Sequence, residues 1–322
     1  MRVPCSLFVA LASSLACPAH AQEPFPSKPI TLIVPYTAGG PTDVMGRLAA
    51  KAIKDRLNQP VIVENVPGAA SNVGAARVAR SAPDGYTLLL GTSVTFAINP
   101  NLYKSLPYDA RTDFAPVTAI ALTPSVLLIN ASLPFNDVGD LIDFARRNPG
   151  KLRYASYGYG SVGHLNGAQL AARAGIDLQH IPYKGSAEAI RDLMGGYVDL
   201  AFDPVMTAVS NMKSSKLRAL GITSAERSPA LPRLATIAEQ GLPGFEYAGW
   251  YGIVAPAGTP PAVLDKLNAA LVAGLQDPEI ARTLIASGTS PAPMSQQEFA
   301  SLIRSTYDKS KRLIAEYGLT PN

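Results

Sequence analysis

The sequence has little cysteine, little histidine and no run of like charge. Of 322 residues, two are cysteine and three are histidine. Cys5, Cys17 and His20 all fall in the first 21 residues, which have the layout of an export signal. Arg2 supplies a positive start, Leu7 to Leu15 an apolar run, and Ala19-His20-Ala21 a small-x-small cleavage pattern that puts the mature start at Gln22. The apolar run is too short to cross a bilayer, which takes about 20 residues. Ser14 and Pro18 spoil the lipoprotein pattern around Cys17. A mature chain without cysteine excludes disulfides, a thiolate nucleophile and cysteine-ligated metal. His164 and His180 remain, and no acidic cluster stands at ligand spacing, so no metal site is expected. Cleavage removes Arg2 and lowers the formal charge from +4 to +3, and with no run of Lys and Arg nucleic acid is not an expected partner. After residue 21 no stretch is long and apolar enough to span a membrane as a helix.

What is present suits a well-packed soluble protein: 47% of residues are apolar and 16% charged. A chain of this length buries about 75% of its unfolded surface and needs no cross-links. Strand and helix signals alternate. Ile30 to Pro35 (ITLIVP) is a continuous apolar run, as expected of a buried parallel strand. Gly39-Gly40-Pro41 ends it, and a helix follows from about Thr42 with Met45, Leu48, Ala49, Ala52, Ile53 and Leu57 on one face. Pro60 to Val66 reads as a strand, Ser71 to Ala82 as a helix, and Tyr86 to Leu90 as a third strand running into Gly91-Thr92-Ser93. The order then recurs. Leu152 to Ser156 is a strand, Gly158 to Gly163 a glycine-rich loop, His164 to Gly175 a helix, Leu178 to Tyr183 a strand, Ser186 to Met194 a helix, and Tyr197 to Phe202 a strand ending at Asp203-Pro204. Tyr36 precedes Asp43 by seven residues, and Tyr157 precedes His164 by seven. The spacing predicts two halves of one β-loop-α-β-α-β plan, with chance similarity of two α/β units as the alternative. Ala115 to Leu133 is strand-rich and predicts a crossing between the halves, and Phe245 to Val254 the return. Helices over Ala262 to Leu275, Pro278 to Ala286 and Ser295 to Tyr317 are expected to pack back on the first half.

In parallel α/β sheets ligands bind beyond the carboxyl ends of the strands. Those ends hold Tyr36 to Asp43, Gly91 to Ser93, Ser156 to His164, Tyr183-Lys184 and Asp203. If the halves face each other, these segments meet in one cleft. A glycine-rich turn opening a helix offers free N–H groups to an anion, and Thr37, Thr42, Ser93 and Ser161 add hydroxyls. With little positive charge beyond Lys184, a carboxylate would be held by neutral donors. The plainer reading of Thr42, Asp43 and Ser161 is helix capping. His164 could be a cap or a packing residue, His180 a structural mid-strand residue, and Asp203 an Asx-type turn with Pro204. Trp250 could stack on a ligand or pack the hinge. Gly158 to Gly163 matches G-x-G-x-x-G, but the next strand closes with Tyr183-Lys184 instead of the acid a dinucleotide needs. Gly39 to Asp43 lacks the lysine of a phosphate loop. Ser161, His164 and Asp203 could serve an exported hydrolase, although Tyr159 stands where the nucleophile motif has glycine.

Several separated segments, in order, resemble the Bug-type solute-binding proteins of tripartite tricarboxylate transporters. They are Val34 to Asp43 (VPYTAGGPTD), Val63-Glu64-Asn65 with Pro67-Gly68-Ala69, Ala82 to Leu88 (APDGYTL), Ala97 to Pro100 (AINP) and Pro149 to Leu152 (PGKL). Further on come His164-Leu165, Pro182 to Gly185 (PYKG), Leu217 to Leu220 (LRAL) and Ala255 to Pro260 (APAGTP). The resemblance runs from about Pro26 to Gly318. It implies an α/β, two-lobed periplasmic-binding-protein (Venus flytrap) fold, each lobe a mostly parallel sheet flanked by helices. The boundaries fall at residues 22–122 plus 246–322 for lobe 1 and 123–245 for lobe 2. It implies a monomeric periplasmic receptor, not an enzyme, that needs no cofactor. The receptor would capture a small carboxylate (a dicarboxylate, an aromatic acid or a related organic acid) for membrane transporter subunits or a sensor kinase. Carried over residue by residue, the ligand contacts are Tyr36, Thr37, Ala38, Gly39, Thr42 and Asp43, then Ser93, then Ser161 and His164, then Tyr183 and Asp203; Tyr159, in the second loop, is expected to join them. The chain departs from the family in Tyr36 for the commoner Phe, Tyr157 and Tyr159 for smaller residues, and Gly163 for a frequent Pro. Two added phenols would narrow the cleft and favour a flat aromatic acid or a compact dicarboxylate over a tricarboxylate.

Overall fold

The computed structural model describes residues 25–319; the export signal expected over residues 1–21 lies outside them. The first half runs β1 (Ile30–Val34), α1 (Pro41–Leu57), β2 (Val61–Asn65), α2 (Asn72–Ala79), β3 (Thr87–Thr92), a π-helical turn (Val94–Ile98), α3 (Asn99–Leu102) and β4 (Phe114–Thr123). The second runs β5 (Ser125–Asn130), α4 (Val138–Arg147), β6 (Leu152–Ser156), α5 (Val162–Ala174), β7 (Leu178–Pro182), α6 (Ser186–Gly195), β8 (Leu200–Pro204), α7 (Val205–Asn211) and β9 (Leu217–Ile222). The chain returns through β10 (Gly249–Pro256) to α8 (Pro261–Leu275), α9 (Pro278–Ala286), β11 (Ser290–Pro291) and α10 (Gln296–Glu316).

Two sheets result, ordered β11-β4-β10-β3-β1-β2 and β7-β6-β8-β5-β9. The predicted repeat is visible in their topology. β2-β1-β3 and β7-β6-β8 are equivalent parallel triplets, and each is extended by one strand that runs against it, β10 or β5, and a next one that runs with it again, β4 or β9. Four strands of each sheet therefore point the same way, as a mostly parallel sheet requires, and the reversed strand beside each triplet is the departure. The physical reason lies in the crossings: β5 and β10 enter their sheets from the neighbouring lobe, at the end where the parallel strands finish, and so run against them.

Both faces of each sheet are covered, which explains the unbroken apolar runs. In β1, Leu32 packs with Met45, Ile53 and Leu267 under α1 and α8, while Ile33 faces Leu89, Phe96, Trp250 and Phe299 on the side of α10. In β5, Leu127 and Ile129 pack with Leu141 and Leu170, and Val126 and Leu128 with Ile190 and Leu193. Trp250 packs in the core of the first lobe against α10. It is 1% exposed, its Nε1 donates to Thr306 Oγ1 at 3.2 Å, and its ring meets Phe299 edge-on at 5.2 Å.

Several expected boundaries move. The helix predicted over Ser71 to Ala82 spans Asn72–Ala79, because Ala69, Ala70 and Ser71 all take left-handed φ, 44°, 52° and 81°. The strand predicted over Tyr197 to Phe202 spans Leu200–Pro204, since Gly196 ends α6 in the left-handed region and Tyr197 is exposed. Helices α4 and α7 and strand β9 were not anticipated.

Gly252 on β10 lies directly against the Phe299 ring of α10. A Cβ there would lie 2.2 Å from Phe299 Cζ. Gly252→Ala should overpack this contact and lower stability by about 1–3 kcal/mol, read as a lower urea midpoint with an unchanged slope.

Candidate ligand-binding cleft

After β1 the chain turns through Tyr36 to Gly40 before entering α1. Asp43, 3% exposed, ties this turn down. Its Oδ2 accepts from the Gly39 N–H at 2.9 Å and from Arg47 Nε at 3.0 Å. Its Oδ1 accepts from Asn65 Nδ2 at 3.0 Å, and the same amide reaches the Tyr36 carbonyl at 3.1 Å. Burial pushes the Asp43 carboxyl up, but the Gly39, Arg47 and Asn65 donors outweigh it and hold the group below its ordinary value. Both carboxylate oxygens are thus committed to shaping the turn. The N-cap of α1 is Gly40, with no side-chain cap, and Pro41 has no N–H to offer. Thr42 and Asp43 are therefore not caps. Their own N–H groups, the second and third of the helix, have no intrahelical partner. Thr37, Ala38 and Gly39 are exposed at the tip of the turn. Gly39 is left-handed, φ 81°, although a Cβ there would touch nothing within 4 Å.

Beside the turn lies a chain of hydroxyls. Tyr36 Oη sits 3.4 Å from Thr92 Oγ1, Thr92 Oγ1 3.0 Å from Thr95 Oγ1, and Thr95 Oγ1 2.8 Å from Ser71 Oγ. Burial raises the Tyr36 phenol and takes Tyr251, which has Thr42 beside it, up to about 12. Ser93 is buried, and a Cβ on Gly249 would come within 3.2 Å of its Oγ and 3.4 Å of Val162 Cγ2, so Ser93 and the start of α5 face each other across that glycine. The left-handed corner at Ala69–Ser71 is clamped by Asn99, whose Nδ2 donates to the Ala70 carbonyl at 2.7 Å and to Asn72 Oδ1 at 2.8 Å. Sequence reasoning did not single out Ser71, Thr92, Thr95 or Tyr251. A signal for the corner was present: Pro67-Gly68-Ala69 and Asn99-Pro100 are separate motif segments that the fold joins.

The opposite wall starts at Tyr157. Burial raises its phenol well above the ordinary range, and proximity to Tyr251, Asp203 and Tyr36 adds to the shift. Tyr157 packs with Ile98 and Leu102 of the first half and with Val162 and Leu165 of the second, and so stands where the two lobes meet. Its Oη accepts from the Gly163 N–H at 3.2 Å. Ser161 is the N-cap of α5, its Oγ accepting from the His164 N–H at 3.2 Å. The His164 ring accepts from the Gly160 N–H at 3.1 Å and stacks on His180, centroids 4.0 Å apart and planes at 7°. Tyr154 continues the stack at 4.7 Å from His180, and Tyr159 meets both imidazoles edge-on at 5.2 and 5.0 Å. Tyr159 and His164 line an 830 Å³ depression along α5 and the end of α10. They face that depression instead of the cleft, because the stack with His180 draws both rings to the β7 side.

Two further expected contacts are also engaged elsewhere. The Tyr183 hydroxyl donates to Asp192 on α6 at 3.0 Å; burial and that carboxylate raise it to about 12. Asp203, 2% exposed, does not form an Asx turn with Pro204. It accepts from Ser186 Oγ, and from Asn211 Nδ2 at 3.2 Å. Burial lifts its carboxyl to about 6 against these donors. Ser161, His164 and Asp203 form no proton relay: the serine oxygen bonds the His164 backbone, not its ring, and Asp203 bonds neither. Among the described residues no cluster of three or more His, Cys, Asp or Glu could hold a metal ion.

Two α/β lobes, each built on a parallel triplet and joined by crossing strands, define the class of two-lobed solute-binding receptors. Residues 45–319 match the tripartite tricarboxylate transporter family receptor, and the chain belongs to that family of periplasmic binding proteins. It is 39% identical over 305 residues to a UPF0065 protein in the tcbD-tcbE intergenic region of Pseudomonas sp. (strain P51), spanning 94% of this chain and 90% of that one. It is 35% identical to protein BugT of Bordetella pertussis, spanning 97% and 95%. Among solved structures, R. palustris Rpa4515 with adipate superimposes with a TM-score of 0.84 at 35% identity, covering 92% of this chain and 100% of that one. MatC from Rhodopseudomonas palustris with bound malate gives 0.78 at 32% identity, covering 90% and 100%. The family is one of receptors, not of enzymes.

The histidine stack generates a pH dependence. Burial lowers His164 from 6.5 to about 4, and burial with the neighbouring His164 lowers His180 to about 3. The unfolded chain takes up these protons near pH 6.5 while the folded chain does not. Stability is therefore present above pH 6.5 and is lost on acidification, by up to about 1.4 kcal/mol per pH unit and histidine. Asp203 works the other way: its folded value near 6 lies above 3.8, so acidifying through that window restores some stability. With two histidines against one carboxyl, the melting temperature should fall from pH 6.5 to pH 4. His164→Asn with His180→Asn should remove that fall.

Proposed function

We propose that the chain is exported through a signal at residues 1–21 and captures a small carboxylate between lobe 1 (22–122 plus 246–322) and lobe 2 (123–245). The ligand class is a dicarboxylate, an aromatic acid or a related organic acid, taken up for membrane transporter subunits or presented to a sensor kinase, with no chemical change. The observation that carries this reading is the open start of α1. The Thr42 and Asp43 N–H groups have no partner within the helix, the tip at Thr37 to Gly39 is exposed, and the nearby Arg47 is committed to Asp43. Amides at a helix start favour an anion by about 0.3–1 kcal/mol when exposed and up to about 2 in partly buried sites. The hydroxyls of Tyr36, Ser93 and Tyr157 complete the wall. The adipate and malate in the two solved relatives support a carboxylate. Tyr159, His164 and Tyr183 are left outside the contact set, and Ser161 and Asp203 act by holding α5 and α6.

Differential scanning of the protein against a carboxylate panel tests this. A true ligand at a hundredfold excess over Kd should add about 2.7 kcal/mol of stability and be recovered unchanged. Gly39→Ala has room for its methyl but not for the backbone angle, so the turn must shift, and Kd should rise about tenfold. A panel in which no acid shifts the transition, or turnover abolished by Ser161→Ala, would refute the receptor reading.

A further inference from the structure

We propose that Tyr157 occupies the anion position at the start of α5, so that the ligand is held by a single carboxylate in the lobe 1 turn and its other end meets a phenol hydroxyl instead of a second anion site. The inference rests on the carboxylate reading above and narrows it to acids with one carboxylate.

The two helix starts are topologically equivalent but chemically different. At α1 there is no side-chain cap, and the Thr42 and Asp43 amides have no partner within the helix. At α5 the corresponding amides are consumed by the chain itself. The Gly163 N–H goes to Tyr157 Oη at 3.2 Å and the His164 N–H to Ser161 Oγ at 3.2 Å. In the turn before them, the Ser161 N–H goes to the Gly158 carbonyl at 3.2 Å and the Gly160 N–H to His164 Nδ1 at 3.1 Å. The Tyr157 oxygen thus sits where an approaching carboxylate oxygen would have to sit. The fit is tight. A Cβ on Gly163 would lie 2.9 Å from Tyr157 Cε1 and 2.7 Å from the Phe202 carbonyl, so ring and helix backbone are in direct contact. Because Oη accepts from Gly163, its own hydrogen is left to donate, which suits a neutral acceptor or a ligand hydroxyl.

Charge acts in the same direction. Asp203 follows Phe202, whose carbonyl and the Tyr157 ring both crowd the Gly163 Cβ position; its charge helps raise the Tyr157 phenol, and its partners Ser186 and Asn211 are both neutral. In lobe 1 the buried Asp43 is compensated by Arg47 at 3.0 Å. A second ligand carboxylate against lobe 2 would meet an uncompensated like charge in a poorly solvated wall, where such repulsion is strong.

Acids matched in length separate the alternatives. Calorimetric titration of butyrate against succinate, and of hexanoate against adipate, should show the monoacid of each pair binding at least about tenfold more tightly to the natural chain. Tyr157→Ala frees the Gly163 N–H and should reduce that preference at least about tenfold. Tyr157→Phe keeps the ring in place and should retain the preference while weakening 3-hydroxybutyrate relative to butyrate. Circular dichroism confirms that each variant is folded. A natural chain that prefers the diacids, or a preference unchanged in Tyr157→Ala, overturns the assignment of Tyr157 and leaves the carboxylate reading standing. Failure of every acid, mono or di, to bind the natural chain overturns both.

Discussion

The cleft depends on how the chain crosses between the lobes. A single residue, Pro124, separates β4 from β5, so one extended segment serves both sheets. Thr223 locks this crossing to the return. Its Oγ1 accepts from the Ser125 N–H at 2.9 Å and donates to the Tyr247 carbonyl at 3.0 Å, and its own carbonyl accepts from the Tyr247 N–H at 3.2 Å. These groups are buried, so breaking any of them leaves an unpaired donor or acceptor away from water. Since β4 leaves the first sheet in the direction of its parallel triplet, while β5 and β10 enter their sheets against theirs, the carboxyl ends of both triplets are turned toward the crossing. The loops that follow β1, β3, β6 and β8 meet there as a consequence.

Within that frame the two lobes use the same topology for different chemistry. Each places an aspartate near the cleft, and each aspartate is buried. Asp43 has an arginine, an amide and a side-chain amide as donors and stays ionised easily. Asp203 has only neutral donors and is pushed up to about 6. The first arrangement leaves the α1 amides open and compensates its own charge; the second leaves a negative centre behind a phenol. A ligand therefore meets a receptive wall and a discriminating wall.

The architecture was largely legible in the sequence because its cause is local. Runs such as Ile30 to Pro35 announce strands covered on both faces, glycine turns announce where helices begin, and the seven-residue spacing of Tyr36 with Asp43 and Tyr157 with His164 announced the repeat. α4 was also within reach: Val138, Leu141, Ile142 and Ala145 have helical spacing and are all buried. The corner at Ala69–Ser71 was marked by the Pro67-Gly68-Ala69 and Asn99-Pro100 segments, but its shape was not legible, since three non-glycine residues with positive φ carry no local preference for it. They are held there by Asn99, almost thirty residues away along the chain.

Read alone, the sequence was enough to place most of the strands and the glycine turns that open helices, and to show that no cysteine follows Cys17. Tertiary structure alone decided which donors remain available. Ser161, His164, Tyr159 and Tyr183 are of the right type and in the right loops, yet each is bonded or stacked within its own lobe, while Tyr157, Tyr251 and Thr92 come to the cleft from separate strands. A residue type states what hydrogen bonds a side chain can make; which of them the protein has already satisfied depends on neighbours brought together only by the packing of distant segments.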